Sequence, residues 1–234
     1  VNGKVTAEQL QVITEAAQKF GNGIVTFTTR LTVEVQGVPF DKIEEFQAYI
    51  AKAGLVTGGT GSKVRPVVSC KGTTCQYGLL DSFGISEEIH HRFYEGYREA
   101  KLPHKFKIAV GGCPNNCVKP DLNDIGIVGQ MIPLFDEDEC NGFKKCSVIE
   151  ACPVNAVSLE DGVAKIDPDT CINCGRCVGK CHFDALDEGK PGFKIYIGGR
   201  WGKKVAQGRA LGKIFETKEE ALDVVEKAIL LFRE

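Results

Sequence analysis

The 234-residue chain has no long apolar run, no leader-like start and no excess of basic charge. It contains no stretch of about 18 apolar residues, the length that crosses a bilayer as a helix. Its first ten residues, VNGKVTAEQL, lack the apolar core of a secretory leader. Lys and Arg total 29 against 31 Asp and Glu, a net charge of -2, which indicates neither nucleic acid nor an anionic membrane as a partner. We therefore expect a soluble cytoplasmic protein that binds neither, with a core of one large or two modest domains.

Cysteine, in contrast, is abundant, with 11 residues. An odd number fits a disulfide framework poorly, and close spacings such as that of Cys171, Cys174 and Cys177 are typical of metal ligands. Thiolate is also the soft ligand that iron-sulfur clusters prefer, and free thiols imply a reducing compartment. We interpret every cysteine as a metal ligand: Cys70, Cys75, Cys113, Cys117, Cys140, Cys146, Cys152, Cys171, Cys174, Cys177 and Cys181.

Hydrophobic periodicity predicts a mixture of helices and strands in an α+β arrangement. The β-branched segment after Gly23 predicts a strand or strand pair, and Ser86 is predicted to cap a helix that runs to Ala100. Further helices are predicted over 6–19 and 41–53 and after Thr217. Further strands are predicted over 105–110, 123–128 and 131–134, and again in GFKIYIGGRWGKK, where the strand leads into a glycine loop.

The seven later cysteines resemble a bacterial two-cluster ferredoxin, whose motif is C-x2-C-x2-C-x3-C with the fourth cysteine ligating the other cluster. The second motif is complete and ends at Cys181. Cluster two would be held by Cys171, Cys174, Cys177 and Cys152. Cluster one would have only Cys140, Cys146 and Cys181. That deficit leaves three options: a three-iron cluster, a four-iron cluster with a non-cysteine ligand, or no first cluster.

The four earlier cysteines form two pairs, CKGTTC at 70–75 and GGCPNNC at 111–117. Each pair follows a predicted strand, and loops at strand ends are where ligands gather. Gly111 and Gly112 allow close backbone approach, and Asn115 and Asn116 offer amide donors. The two pairs together predict a buried 4Fe-4S site that is separate from the ferredoxin-like segment.

These motifs carry a resemblance to the siroheme-dependent sulfite and nitrite reductases. CxGxxC followed by GGCPNNCVKPDLNDIGIVG is similar to that family's signature, and TFTTRLTVEV around Arg30 resembles its ferredoxin-like half-domain. LPHKFK, with Lys105 and Lys107, resembles its paired active-site lysines. VRPVVSC places Arg65 as the family pattern does, and GFKIYIGGRWGKK resembles its return strand.

The resemblance implies a half-domain at 1–57, a siroheme and 4Fe-4S domain of α/β type at 58–134 and 188–234, and an inserted two-cluster ferredoxin at 135–187. The sulfur of Cys117 would bridge the cluster and the siroheme iron. Sulfite would be reduced to sulfide by six electrons, with Arg30, Arg65, Lys105 and Lys107 holding the anion and supplying protons. Further candidates to bind the cofactor are Asn116, Lys119, Arg200 and Lys203, followed by Lys204 and Arg209.

Alternatives remain open at this point. The same fold could reduce nitrite to ammonia, or the chain could be an electron carrier with a vestigial siroheme site or a partner within a larger complex. Larger members of the family contain two copies of this unit and the sequence shows one, so we expect a homodimer or higher homo-oligomer. A soluble donor such as a ferredoxin would supply electrons.

Overall fold

The computed structural model describes residues 2–234. The N-terminal part packs two helices against a small hairpin: α1, Ala7–Phe20; β1, Val25–Phe27; β2, Val33–Val35; and α2, Ile43–Ala51. The strands pair antiparallel, as a strand pair in this segment predicts. A capping box starts α1, because the Thr6 hydroxyl accepts from the Gln9 amide and the Gln9 side chain accepts from the Thr6 amide, both at 3.1 Å.

The larger part is a five-stranded mixed sheet in the order β3-β4-β5-β8-β9. Its strands are β3, Val68–Ser69; β4, Ile108–Gly111; β5, Ile125–Leu134; β8, Glu188–Ile197; and β9, Arg209–Phe215. The strands β3, β4 and β5 are parallel, and the other pairings are antiparallel. Helices α3, Ser82–Ile89, and α5, Lys218–Arg233, bury apolar side chains in the main core, among them Ile89, Ile127 and Leu222.

Residues 135–187 leave the sheet after β5 and return to it at β8. These two strands pair over ten residues, from Ile125 opposite Ile197 to Leu134 opposite Glu188, so the segment begins and ends at one place. It contains α4, Ser147–Ala151, and a hairpin of β6, Val157–Glu160, and β7, Val163–Ile166. A small core of its own holds these elements. The α+β class is confirmed.

Several predicted boundaries are wrong. Helix α3 begins at Ser82 with Asp81 as its cap, whose carboxylate accepts from the Gly84 amide at 3.0 Å, and Ser86 lies buried inside the helix. The helix continues as a π-helical turn, His90–Glu95, and ends before Ala100. The strand predicted from residue 105 begins at Ile108, and the segments 123–128 and 131–134 belong to one strand. Strand β9 was not predicted. Among residues 2–234, no helix has both the length and the apolar character needed to cross a bilayer.

Candidate functional site

The two early cysteine pairs meet at one edge of the sheet. Cys70 follows β3 and Cys113 follows β4, and parallel neighbours bring their carboxyl ends to the same edge. The Gly112 amide donates to the Cys70 sulfur at 3.0 Å. A Cβ atom on Gly72 would lie 2.7 Å from the Gly112 Cα, so the loops touch through two glycines that no other residue could replace without a shift.

The four thiols of these loops lie close enough to influence one another. Burial raises the pKa of the Cys113 thiol, and the neighbouring Cys70, Cys117 and Cys75 raise it further. Cys70, Cys75 and Cys113 are partly buried, whereas Cys117 is exposed. Cys117 is therefore the member of this set that is most open to an additional ligand.

Arg30 lies in the turn between β1 and β2 and reaches the larger domain. Its guanidinium donates to the Pro66 carbonyl at 2.7 and 3.2 Å, to the Ile108 carbonyl at 3.2 Å and to the Asn123 side chain at 3.3 Å. Burial and the adjacent charge of Arg65 lower the pKa of Arg30 to about 10. Arg30 thus ties the half-domain to the larger domain, which the sequence did not indicate.

Arg65 lies beside Arg30 and has no protein acceptor for its Nε atom. That atom is buried and makes no hydrogen bond among residues 2–234. The Arg65 backbone amide donates to the Phe106 carbonyl at 2.8 Å, which fixes the start of the side chain. A buried guanidinium donor without a partner is costly, and an anion would satisfy it.

Lys107 joins the same cationic group. Burial lowers the pKa of Lys107, as do the charges of Arg30, Lys105 and Arg200, while Asp124 opposes the shift. The Lys107 amide also donates to the Asp124 carboxylate at 2.7 Å. Lys107 precedes β4 and Cys113 follows it, so the cationic group and the cysteine loops lie at opposite ends of a strand about 13 Å long.

Asp124 is a site residue that the sequence reasoning missed. Burial raises the pKa of its carboxyl, and the amide and charge of Lys107 oppose that rise. The sequence did contain a signal for Asp124, since an acidic residue lies immediately before the buried strand β5. The two lysines lie just before the neighbouring strand β4. Asp124 supplies a negative charge that acts on both Arg30 and Lys107.

Asn116 and Lys119 lie in the loop after Cys113, and both adopt left-handed backbone conformations, with φ of 55° and 48°. The Asn116 amide donates to Asp121 at 2.8 Å, and Gln207 donates to the same carboxylate at 2.9 Å. Although burial opposes ionisation, these two hydrogen bonds hold the pKa of Asp121 below its usual value. Asn116 therefore shapes the loop that carries Cys117.

The remaining predicted cofactor ligands fall into two groups. Arg200 lies near Lys107, and backbone hydrogen bonds with Ala206 at 2.7 and 2.9 Å close the loop that follows it. Lys203 is exposed in that loop, and its side chain forms no ion pair or hydrogen bond in the part of the chain that the structure describes. The same holds for Lys119. Neither lysine is brought into contact with the arginines.

In the 135–187 segment the structure brings four cysteines around one cavity. Cys152, Cys171, Cys174 and Cys177 line it, although Cys152 comes from the first, irregular motif. Burial raises the pKa of Cys177 to about 11, and the other three thiols raise it as well. The Ala156 amide donates to the Cys152 sulfur at 3.2 Å. This grouping is the exchange between motifs that the spacing predicts for cluster two.

The other three cysteines of the segment, Cys140, Cys146 and Cys181, pack against its small core. The Ala164 amide donates to the Cys140 sulfur at 3.4 Å, and the Ser147 hydroxyl donates to the Lys180 carbonyl. Among residues 2–234, no three His, Cys, Asp or Glu side chains converge as the ligands of a single metal ion.

The cysteine loops of the segment contact those of the larger domain. The Met131 amide of β5 donates to the Asn173 carbonyl at 2.8 Å, and Met131 also forms a bridge with Cys174. The Arg176 guanidinium lies 5.9 Å from the centre of the Tyr77 ring, two residues beyond Cys75. The two groups of cysteines are thus adjacent in space.

The chain is similar to known proteins over nearly its whole length. The nitrite and sulphite reductase 4Fe-4S domain family matches residues 60–234, and the nitrite/sulfite reductase ferredoxin-like half domain matches residues 1–53. The chain is 30% identical over 226 residues to the coenzyme F420-dependent sulfite reductase of Methanocaldococcus jannaschii, covering 96% of this chain and 35% of that protein. It is 30% identical over 238 residues to a component of the anaerobic sulfite reductase of Salmonella typhimurium, covering 91% and 66%.

The fold is similar to the crystal structure of dissimilatory sulfite reductase I, with a TM-score of 0.74 at 22% identity, over 99% of this chain and 60% of that one. The chain spans about a third of the length of the Methanocaldococcus relative and about two thirds of the Salmonella one. Both family matches occur once, and together they cover nearly all 234 residues. The chain belongs to the nitrite and sulfite reductase family.

Proposed function

We propose that this chain is the catalytic unit of a siroheme-dependent sulfite reductase that reduces sulfite to sulfide with six electrons. The observation that carries the proposal is Arg65, whose buried Nε has no protein acceptor, within a cationic group that includes Arg30 and Lys107. Such a group is suited to an oxyanion with several oxygens, since guanidinium forks bind two oxygens at once.

The residues fit a siroheme that is coupled to a 4Fe-4S cluster. Cys70, Cys75, Cys113 and Cys117 would hold the cluster, and Cys117, the exposed member of the set, would also help to hold the siroheme. The contact of Gly72 with Gly112 keeps the two cysteine loops together. Candidate partners for the siroheme carboxylates are Arg200, Lys119 and Lys203. Siroheme, when bound, would supply the redox chemistry by which sulfite is reduced.

The chain's own residues then bind the anion and handle protons. Because the cationic group and the cysteine loops of one chain lie at opposite ends of β4, the homodimer would bring the cationic group of one copy to the siroheme held by the other. Arg30 is oriented by three acceptor groups and lends fixed charge, whereas the Nε donor of Arg65 is free for a sulfite oxygen. Burial lowers the pKa of Lys107, so its ammonium gives up a proton more readily than an ordinary lysine does. Asp124 orients the Lys107 segment through the 2.7 Å hydrogen bond. Lys105 is exposed and would replace the proton.

The finer assignments belong to the same proposal. Residues 1–57 form the half-domain, residues 58–134 and 188–234 form the reductase domain, and residues 135–187 form the ferredoxin insert. Cluster two would use Cys152 and the first three cysteines of the second motif, and cluster one would use the other three cysteines. The proposal also includes a soluble electron donor, a homodimer and a cytoplasmic location. Contact between the insert and the Tyr77 loop supports an electron relay, because transfer requires neighbouring centres.

Anaerobic purification, extraction of the chromophore and counts of iron and acid-labile sulfide test the cofactor assignment. Sulfite and nitrite reduction would then be compared with reduced methyl viologen as donor. Lys107→Ala should lower sulfite turnover strongly, and Lys101→Ala, which removes an exposed lysine nearby, should not. A protein that neither contains nor takes up siroheme and reduces neither anion would contradict the proposal and favour an electron carrier. Higher kcat/KM for nitrite would assign it to nitrite reduction.

A further inference from the structure

Five residues beside the incomplete cysteine set form an exposed patch, which we call the basic-aromatic patch: Phe143, Lys144, Lys145, Lys180 and Phe183. Phe143 is 56% exposed and Phe183 is 41% exposed. Their rings lie edge to face with centroids 6.4 Å apart. The hydrogen bond from the Ser147 hydroxyl to the Lys180 carbonyl holds the two contributing segments together. An exposed aromatic pair of this kind is typical of contact surfaces.

The ammonium groups of the three patch lysines are free of ion pairs in the part of the chain that the structure describes. No ion pair within residues 2–234 includes Lys144, Lys145 or Lys180. Carboxylates nearby along the chain, such as those of Glu150 and Asp184, therefore lie beyond 4.0 Å from their ammonium groups. The patch concentrates positive charge on a chain whose net charge is -2. Elsewhere in the same segment a lysine is paired, since Lys165 lies 2.7 Å from Glu137.

The patch also borders metal ligands. Lys145 immediately precedes Cys146 and Lys180 immediately precedes Cys181, two of the three cysteines of cluster one. A protein seated on the patch would therefore stand next to that centre. Uncompensated charge around an apolar contact favours fast, oriented and reversible association with an oppositely charged partner.

We propose that the basic-aromatic patch is the docking surface for an acidic, low-potential electron-carrier protein that reduces cluster one. This inference rests on the proposed function and adds the place of electron entry and the charge of the donor. Each docking event oxidises the carrier by one electron and reduces the insert by one. Six events supply the electrons for one sulfite, and the protons come from solvent. A protein donor is favoured over a small molecule because the patch is exposed and charged, with an aromatic pair for contact.

The test compares two electron donors with the same metal-loaded enzyme. Sulfite reduction is measured with a reduced acidic two-cluster bacterial ferredoxin and with reduced methyl viologen, a small cation that needs no docking surface. The variant Lys144→Glu/Lys145→Glu is compared with Lys19→Glu/Lys52→Glu, which makes the same change of charge on exposed lysines of the half-domain. Lys180→Glu is made separately, and Phe183→Ala is compared with Phe40→Ala, which removes a ring that is 91% exposed.

We expect kcat/KM for ferredoxin to fall about tenfold or more in the patch variants, because steering of this kind changes association rates by about 10 to 1000-fold. Viologen-driven turnover and iron content should stay unchanged, and salt should suppress only the ferredoxin-driven rate of the unaltered enzyme. Equal ferredoxin kinetics in the Lys144→Glu/Lys145→Glu and Lys19→Glu/Lys52→Glu variants would overturn the inference. Dissociation of a homodimer in the patch variant would also overturn it, since the patch would then be a contact between copies. If the unaltered protein does not reduce sulfite with methyl viologen as donor, that result would instead contradict the proposed function.

Discussion

Replacement of Gly112 by alanine tests how the two cysteine loops are held together. The added Cβ would lie 2.7 Å from the Gly72 Cα and 3.3 Å from the Cys70 sulfur. Carbon atoms in ordinary contact are about 3.5–4.0 Å apart, so the loops must separate by about 1 Å. The obstructing atom belongs to the backbone and cannot rotate away. Relaxation must therefore move the loop that carries Cys70 and Cys75.

Overpacking of this kind costs about 1–3 kcal/mol, and a chain of this size loses about 2–4 °C in melting temperature for each kcal/mol. The metal site should suffer more than the fold, because its four ligands come from both loops. The Gly112 amide also donates to the Cys70 sulfur at 3.0 Å, and separation would lengthen this hydrogen bond. We expect Gly112→Ala to lose the iron and sulfide of one cluster, together with the siroheme, while the insert keeps its own iron.

The assay is an iron and sulfide count with the visible spectrum, followed by thermal unfolding of the same preparation. Gly212→Ala is the matched control, since a Cβ there meets no atom within 4 Å and its φ is not positive. Full iron content in Gly112→Ala, with a melting temperature equal to that of Gly212→Ala, would refute the argument that the glycine contact assembles the site.

Three further results are expected. Arg30→Ala should destabilise the protein by about 2–4 kcal/mol in denaturant unfolding, because buried carbonyls lose a charged donor. Arg65→Ala should instead mainly raise KM for sulfite, since the Arg65 Nε donates to no protein acceptor that the change would leave unpaired. Lys107 loses its charge as the pH rises through its lowered pKa, and the charge of Asp124 opposes that lowering. Asp124→Asn should therefore lower the Lys107 pKa further and move the alkaline limb of viologen-driven activity to lower pH. An unmoved limb would exclude Lys107 as the titrating group. Cys152→Ser should abolish the same cluster signal in electron paramagnetic resonance that is lost when Cys171, Cys174 or Cys177 is replaced. If it instead abolishes the signal that depends on the cysteines of cluster one, the exchange of cysteines between the two motifs is disproved.

The sequence predicted the elements whose signals are local. The helix predicted over 6–19 and the helix predicted after Thr217 are both present, and Thr217 caps the second. The cysteine spacing predicted that Cys152 lies with Cys171, Cys174 and Cys177, as it does in the structure. The start of α3 was missed because Ser86 resembles a cap, whereas its hydroxyl accepts from the Asn2 side chain at 2.9 Å, a contact between residues 84 apart. Strand β9 alternates weakly and carries polar residues on an edge of the sheet, so periodicity could not reveal it.

The division of β5 into two predicted strands has a different cause, which bears on function. Gly129 reads as a break, but a Cβ there would lie 2.4 Å from the Gly112 carbonyl, so this glycine lets β5 pass the loop of the four early cysteines. Two residues further, about 7 Å along the strand, the Met131 amide donates to the Asn173 carbonyl, which lies between Cys171 and Cys174 in the sequence. One continuous strand therefore contacts both groups of cysteines. Because β5 pairs with β8 over its whole length, the separation of the two groups is set by the sheet and does not depend on a flexible linker.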